Sequence, residues 1–300
     1  MTAYLIIDAG GTFLKSAVLN PEGLVFPGSA LSVESFSDKT KEEILQAFEK
    51  IIMEGLKFVE ENRMNLKGVG IAFPGPFNIE NATPLMKHKF QAIYGLNLRE
   101  YFYKTFDLLA DIPIKFIHDA NAVLLGEIWK GDARGFGNAA VITLGTGLGF
   151  AVSRNGEVLC NEIGGPHISI FKIPYKDGIL EDYTAKRGFI KIYSELSGKT
   201  DVGGIQVYEI GDWADQGDEA SKQTFSVIGK ILAESLQDIL IENKVECLLF
   251  SGQISRSFHH LEPALREGLK NVSCLQKIAT VKSIDDAALL GTLKNIKLNQ

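Results

Sequence analysis

Cysteine is scarce in this 300-residue chain: Cys160, Cys247 and Cys274 lie far apart, with no C-x-x-C spacing. That pattern argues against a disulfide framework and a zinc–cysteine cluster, and suits reduced thiols in a cytosolic protein. A Lys/Arg-rich block is also missing from a chain of formal net charge −6, so the electrostatic footprint of a DNA- or RNA-binding protein is lacking. No apolar run approaches the roughly 20 residues needed to span a bilayer. The first strand-like run starts at Tyr4, which leaves no room for a charged leader and its apolar core. The expectation is a cytoplasmic protein with no nucleic-acid and no membrane partner. What remains, 45% hydrophobic and 23% charged residues, is the make-up of a globular chain long enough for two domains.

Strand-like and helix-like segments alternate along it. YLIID, FLKSAVLN, GVGIAFPG, IKFIHD, AAVITLG, LGFAVSR and CLLFSG read as strands, several of them continuous apolar runs suited to a sheet covered on both faces. Residues 40–62 place Ile44, Phe48, Ile51, Ile52 and Val59 at helical spacing. Residues 218–243 do the same with Phe225, Ile228, Leu232, Leu236 and Leu240, and a third helix is expected from about Asp285 to Ile296. Mixed order of this kind predicts α/β layers.

Two bends then stand out. In IIDAGGTFLKSAVLNPEG a buried strand meets Asp8, Gly10, Gly11 and Thr12, with Lys15 beyond, and a second strand follows. VITLGTGLGFAVSRNGE, residues 141–157, repeats the plan with Gly145, Thr146 and Gly147 at its bend. Glycines leave backbone N–H groups open to an anion at close range. One such hairpin alone reads as a tight turn. A pair, one in each half, points to a duplicated fold whose two loops hold a polyphosphate from both sides of a cleft. A Rossmann loop would lead from strand to helix and a Walker loop would carry G-K-[ST], and neither pattern is present.

Three further segments carry groups able to do chemistry. IKFIHDANAVLLGEIWKG ends a strand at His118-Asp119 and opens a helix, where open α/β sheets place ligands. Asp119 reads equally as that helix's N-cap. CNEIGGPHISI sets Glu162 and His167 on either side of a Gly-Gly-Pro turn, either converging on one pocket or lying on the surface. In DGILEDYTAKRGF, Glu181 is a candidate ligand or simply a first-turn acid favoured by the helix dipole.

The order of these pieces resembles the ROK family of sugar kinases and repressors, in the superfamily of actin, hexokinase and the heat-shock chaperone ATPases. DAGGT is similar to its first phosphate motif, HDANAVLLGE to its Asn-Asp-Ala-Asn segment, LGTGLG to its second phosphate motif and EIGGPH to its Glu-x-Gly-His motif. GILED, LLFSGQIS and DDAALLGTL resemble the close of its zinc loop, its adenosine-side strand and its terminal helix. The resemblance implies two ribonuclease-H-like (actin-like ATPase) α/β domains with a cleft between them, over residues 1–117 and 118–284, with 285–300 packing back on the first. It implies a glucokinase-like, ATP-dependent kinase acting on a hexose or N-acetylhexosamine such as glucose. In it Asp119 is the catalytic base and Asp8 holds Mg2+ through water. Gly10, Gly11, Thr12, Lys15, Gly145, Thr146 and Gly147 line the phosphates, with Gly252 in the nucleoside pocket. His118, Asp119, Glu162, His167 and Glu181 meet the sugar. A sugar-binding regulator without significant turnover is the alternative, and the family's frequent dimers make a homodimer a candidate assembly.

The sequence departs from the family at four places. The segment from His167 to Glu181 has no cysteine where many members bind zinc, so no zinc is expected. His118 replaces the usual asparagine, and Gly165-Pro166 lengthens the spacing from Glu162 to His167. Lys87, His88 and Lys89 stand where many members carry a Pro-Asn segment near the sugar. They read as a solvated basic stretch or as contacts to a sugar or an anion.

Overall fold

The computed structural model describes residues 1–298 and divides into two compact units. The first holds Met1–Lys130, the segment Cys160–Pro166 and the C-terminal segment from Asp286, and the second holds Gly131–Leu159 and His167–Asp285. Residues 118–130, grouped with the second domain in the sequence reading, thus pack with the first unit. The last two residues of the expected 285–300 segment lie outside the described residues.

In the first unit, β1 (Thr2–Ala9), β2 (Phe13–Leu19), β3 (Leu31–Glu34), α1 (Lys41–Glu61) and β4 (Asn65–Phe73) are followed by the short pair β5 (Phe77–Asn78) and β6 (Thr83–Pro84). Then come α2 (Leu98–Thr105), β7 (Ile114–His118) and α3 (Asp119–Lys130). The sheet runs β3-β2-β1-β4-β7, antiparallel among the first three strands and parallel from β1 through β4 to β7. Side chains alternate across β1, as the two-residue period of a strand requires. Leu5 and Ile7 join the cluster of Ile44, Phe48 and Ile52 from α1. Tyr4 and Ile6 join the opposite one. Helix α1 starts at a capping box in which Glu43 N–H donates to Thr40 Oγ1 at 3.3 Å and Thr40 N–H to Glu43 Oε2 at 3.0 Å. Rings fill the α1 side: Phe73 lies 6.0 Å from Phe48 and 5.0 Å from Phe90, centroid to centroid. Each fully buried ring of this kind contributes on the order of 2–3 kcal/mol.

The second unit repeats the plan. It contains β8 (Ala139–Leu144), β9 (Leu148–Arg154), β10 (Glu157–Val158), β11 (Pro174–Tyr175), β12 (Gly178–Ile179), α4 (Leu180–Thr184), α5 (Lys186–Ser197), α6 (Val207–Asp215) and α7 (Glu219–Glu242). β13 (Cys247–Ser251), α8 (Phe258–Leu269) and β14 (Lys277–Thr280) complete it. Its sheet order, β10-β9-β8-β13-β14, has the strand senses of the first sheet position for position. The duplication inferred from the two glycine bends is therefore a duplication of whole sheets. α7 packs against α5 and α8 over Phe225, Ile228, Leu232 and Leu236. Asp215 Oδ1, at the end of α6, lies 2.8 Å from both His259 Nε2 and His260 Nε2 at the start of α8. Among the described residues, no helix is long and apolar enough to cross a membrane.

The last helix, α9 (Ala287–Lys297), returns to the first unit and covers its second face with Leu289, Leu293 and Ile296. It crosses α3 at backbone contact. A Cβ on Gly291 would lie 1.7 Å from the Ala122 carbonyl oxygen, and one on Gly126 would lie 2.3 Å from that of Ala287. Only hydrogen fits there, so the two glycines set the helix separation. Gly291→Ala is expected to destabilise the protein by at least about 2 kcal/mol through overpacking, read as a lower urea midpoint at an unchanged slope.

Candidate active site

Strand register assembles the acids of the first unit. β1 pairs in parallel with β4, setting Asp8 beside Ala72, and β4 pairs in parallel with β7, setting Phe73 beside His118. Asp8 and Asp119 therefore emerge at the carboxyl ends of strands separated by one neighbour, the edge at which such sheets hold ligands. Across the antiparallel pair, Lys15 stands opposite Asp8. The turn between them is closed by Gly10 N–H donating to the Phe13 carbonyl at 2.9 Å. A Cβ on Gly10 would come within 2.8 Å of that same oxygen, so glycine is required. Thr12 is exposed beyond it.

The two acids have opposite surroundings. Burial raises the Asp8 carboxyl, the nearby Asp119 charge raises it further and Lys15 lowers it, leaving it pushed up to about 6. Burial also acts to raise Asp119, but His118, the Ala120 N–H and Lys89 more than offset it, and its carboxyl lies below the ordinary range. His118 Nδ1 is 2.8 Å from Asp119 Oδ1, and Ala120 N–H donates to the same oxygen at 2.7 Å. Asp119 is thus the first residue of α3 and an ionised carboxylate beside Asp8 at once. The His118 ring lies on Gly75, where a methyl group would meet Nε2 at 2.5 Å.

Two residues to which the sequence reading assigned no site role join this group. Lys89 lies along Gly11, since a Cβ there would meet its Cδ at 3.0 Å and its Nζ at 3.1 Å. The sequence offers it as one of three basic residues, Lys87, His88 and Lys89, read either as solvated or as contacts to a sugar or an anion, and it directly precedes Phe90, which the fold buries. Asn121, one turn into α3, is buried with its Nδ2 directed at Cys160 Sγ and the Gly164 carbonyl, both at 3.3 Å. Its Oδ1 is buried with no partner among the described residues. Asn121 so ties the segment carrying Glu162 to the first unit. Glu162 itself is exposed on a turn that Asn161 Oδ1 organises by accepting the N–H groups of Ile163 and Gly165 at 3.1 and 2.9 Å.

In the second unit, the Gly145–Gly147 bend joins β8 to β9. Gly145 N–H donates to the Gly147 carbonyl at 3.1 Å, and Lys186 N–H to the Gly145 carbonyl at 3.0 Å. The Cβ direction of Gly145 opens onto space with no atom within 4 Å, so the loop presents bare backbone. Glu181 underpins it, with Oε2 accepting the Leu148 N–H at 2.9 Å while Oε1 lies 3.9 Å from Arg187. Gly252 follows β13, the parallel neighbour of β8, at φ +90°, and a Cβ there would meet the Leu144 carbonyl oxygen at 2.2 Å. Position and conformation both demand glycine. Gly145, Thr146, Gly147, Glu181 and Gly252 are thus neighbours. His167 is exposed in this unit, whereas Glu162 belongs to the other.

Both loops suit phosphate: glycine backbone at strand ends, with cations beside the first. The raised Asp8 carboxyl suits a divalent cation, because a nearby positive charge favours the ionised form that burial opposes. A raised folded-state value also makes Asp8 a liability to the empty protein. Above the ordinary carboxylate range the unfolded chain gives up this proton more readily, so stability falls as pH rises from about 4 to about 6. Asp8→Asn is expected to stabilise the protein at pH 7.5 by on the order of 1–2 kcal/mol and to lose that advantage at pH 4, in paired urea titrations.

The ROK family pattern matches residues 4–295. A glucokinase of Halalkalibacterium halodurans is 30% identical over 219 residues, 64% of this chain and 59% of that protein. A beta-glucoside kinase of Listeria innocua is 28% identical over 152 residues, 51% of this chain and 47% of that one. The matches therefore span only about half to three-fifths of these relatives' own lengths. Among solved structures, a ROK family glucokinase from Streptomyces griseus in complex with glucose and AMPPNP superposes with a TM-score of 0.83. It is 20% identical, and 99% of each chain is covered, a likeness of fold.

Proposed function

Because the chain belongs to the ROK family, we propose that it is an ATP-dependent sugar kinase transferring the γ-phosphoryl group to a hydroxyl of a hexose or N-acetylhexosamine. The observation that carries this reading is Asp119, held ionised beside the Asp8–Thr12 loop in one unit. Phosphoryl transfer asks for positioning and charge stabilisation rather than covalent catalysis. The acceptor hydroxyl oxygen bonds to the γ-phosphorus, the bond to the β-bridging oxygen breaks, ADP leaves, and the hydroxyl proton passes to Asp119. Both hydrogen bonds to Asp119 fall on Oδ1, which leaves Oδ2 to receive that proton.

With the Gly10 and Gly145 N–H groups closing their turns, the backbone of Gly11 and Thr12 and of Thr146 and Gly147 is assigned to the phosphates, Lys15 adds a cation, and Gly252 is assigned to the nucleoside pocket. Mg2+, held through water by Asp8, would neutralise phosphate charge. Glu162 and His167, exposed and polar, are assigned to sugar hydroxyls. Glu181 is also assigned to a sugar hydroxyl, while its Oε2 fixes the second loop through the Leu148 N–H.

A regulator that binds sugar without turnover is the reading that His118 favours, since its contact lowers the basicity of Asp119. A coupled assay over hexoses and N-acetylhexosamines, run beside calorimetry, separates the two. ADP formation that depends on one sugar supports the kinase, and sugar binding without ADP supports the regulator. Asp119→Asn is expected to bind sugar normally and to lower kcat by about 10²–10⁴-fold, the contribution of one general base. Near-normal turnover in that variant would remove Asp119 from the role.

A further inference from the structure

We propose that Lys89 is a catalytic residue whose ammonium binds the phosphoryl group as it passes from nucleotide to acceptor. The inference rests on the kinase reading and adds a residue to it.

Three observations place the side chain. Lys89 runs along Gly11 with Nζ at the position a Cβ would crowd, so the charge lies on the bare backbone of the first glycine bend. Its charge also reaches Asp119, as the smallest of the influences that lower that carboxyl after His118 and the Ala120 N–H, so the ammonium lies in the field of both the loop and the acid. Yet among the described residues it makes no hydrogen bond or ion pair of its own. The carboxylate of Asp119 is taken up by His118 and Ala120 instead. A half-buried ammonium without a partner among the described residues, lying on a glycine bend, calls for an anion. Sugar hydroxyls are neutral. The anion that must lie between a glycine bend and the acid that deprotonates the acceptor is the group in flight.

Its backbone is fixed as firmly as its charge is free. Phe90, the next residue, is buried between Phe48 and Phe73. Phe90 N–H donates to the Ser37 carbonyl at 2.6 Å, and Ser37 Oγ donates to the Gly11 carbonyl at 2.5 Å. Ser37 thereby couples the lysine's segment to the glycine bend. A cation held this way needs little reorganisation when charge builds on the phosphoryl oxygens, which is where such groups accelerate reactions most.

The chemistry is the transfer already written: no proton moves to or from Lys89, which only offsets charge as one P–O bond forms and the other breaks. Lys89→Met keeps the aliphatic stem and leaves the Phe90 and Ser37 contacts intact. It is expected to lower kcat by about 10²–10³-fold, the cost of removing one such donor, with KM for sugar and ATP changed less than about threefold. Calorimetry with ADP plus aluminium fluoride, a mimic of the phosphoryl group in transfer, should show tight binding lost in Lys89→Met while ADP alone binds as before. Unchanged kcat, a loss confined to sugar KM, or a displaced acid limb in the pH profile with an unchanged plateau would each overturn the proposal. If the unaltered protein neither turns over a sugar nor binds the ADP–fluoride mixture, the kinase reading itself fails. If it does both and Lys89→Met matches it, only the role of Lys89 fails.

Discussion

Two carboxylates at the carboxyl ends of parallel strands, one strand apart, are the constraint around which the first unit is built. Neighbouring acids in a partly buried place do not ionise independently, because each charge raises the cost of the other. The fold resolves the conflict by unequal support. Asp119 receives a histidine, a backbone N–H and the field of a lysine, and Asp8 keeps only Lys15 against burial. One acid is ionised well into the acid range while the other waits at about 6. Separated environments for paired acids are how a single site obtains two different functions from the same side chain. The stability cost falls on Asp8, the acid best suited to gain from a cation.

The two sheets share order and sense, but their bends have been put to different uses. The first is surrounded by charge: Asp8, Lys15, Lys89 and Asp119 all act at it. The second is braced from beneath by Glu181 and left bare above Gly145, with Gly252 pressed against the end of its strand. The same strand–bend–strand geometry thus supports reactive groups in one copy and a plain backbone cradle in the other. Folds of this kind carry function in the groups grafted at strand ends rather than in the sheet.

Much of this was legible in the sequence because the relevant signals are local. The period of apolar residues located α1 and α7 to within a residue or two, and α9 nearly so. The glycine bends announced both loops, and the apolar run ending in His-Asp announced the strand-to-helix step at Asp119. What escaped depends on contacts distant in sequence. Nothing in Gly126 or Gly291 says that two helices 165 positions apart meet there, and so position alone groups α3 with the second half of the chain, whereas it packs with the first unit. Glu162 and His167, five residues apart, belong to different units because Asn121 and Ile79 hold the intervening turn to the first. Lys89 reads in the sequence as one of three basic residues, either solvated or facing a sugar or an anion. Its meaning comes from Ser37, a residue in no motif, which fixes the distance from that stretch to Gly11.

His118 shows how a departure from a family pattern can be absorbed. An asparagine there could hydrogen-bond but never carry charge, whereas an imidazole can do both. Its Nδ1 lies within hydrogen-bond reach of Asp119 Oδ1, and its far edge is accommodated only because residue 75 is glycine. The histidine therefore acts on the site through Asp119. It lowers the proton affinity of that carboxyl, and together with the Ala120 N–H it holds one oxygen and leaves Oδ2 open. Loss of basicity and gain of orientation oppose each other. On the kinase reading both matter, because a general base needs a proton affinity near its working range and a fixed direction toward the hydroxyl.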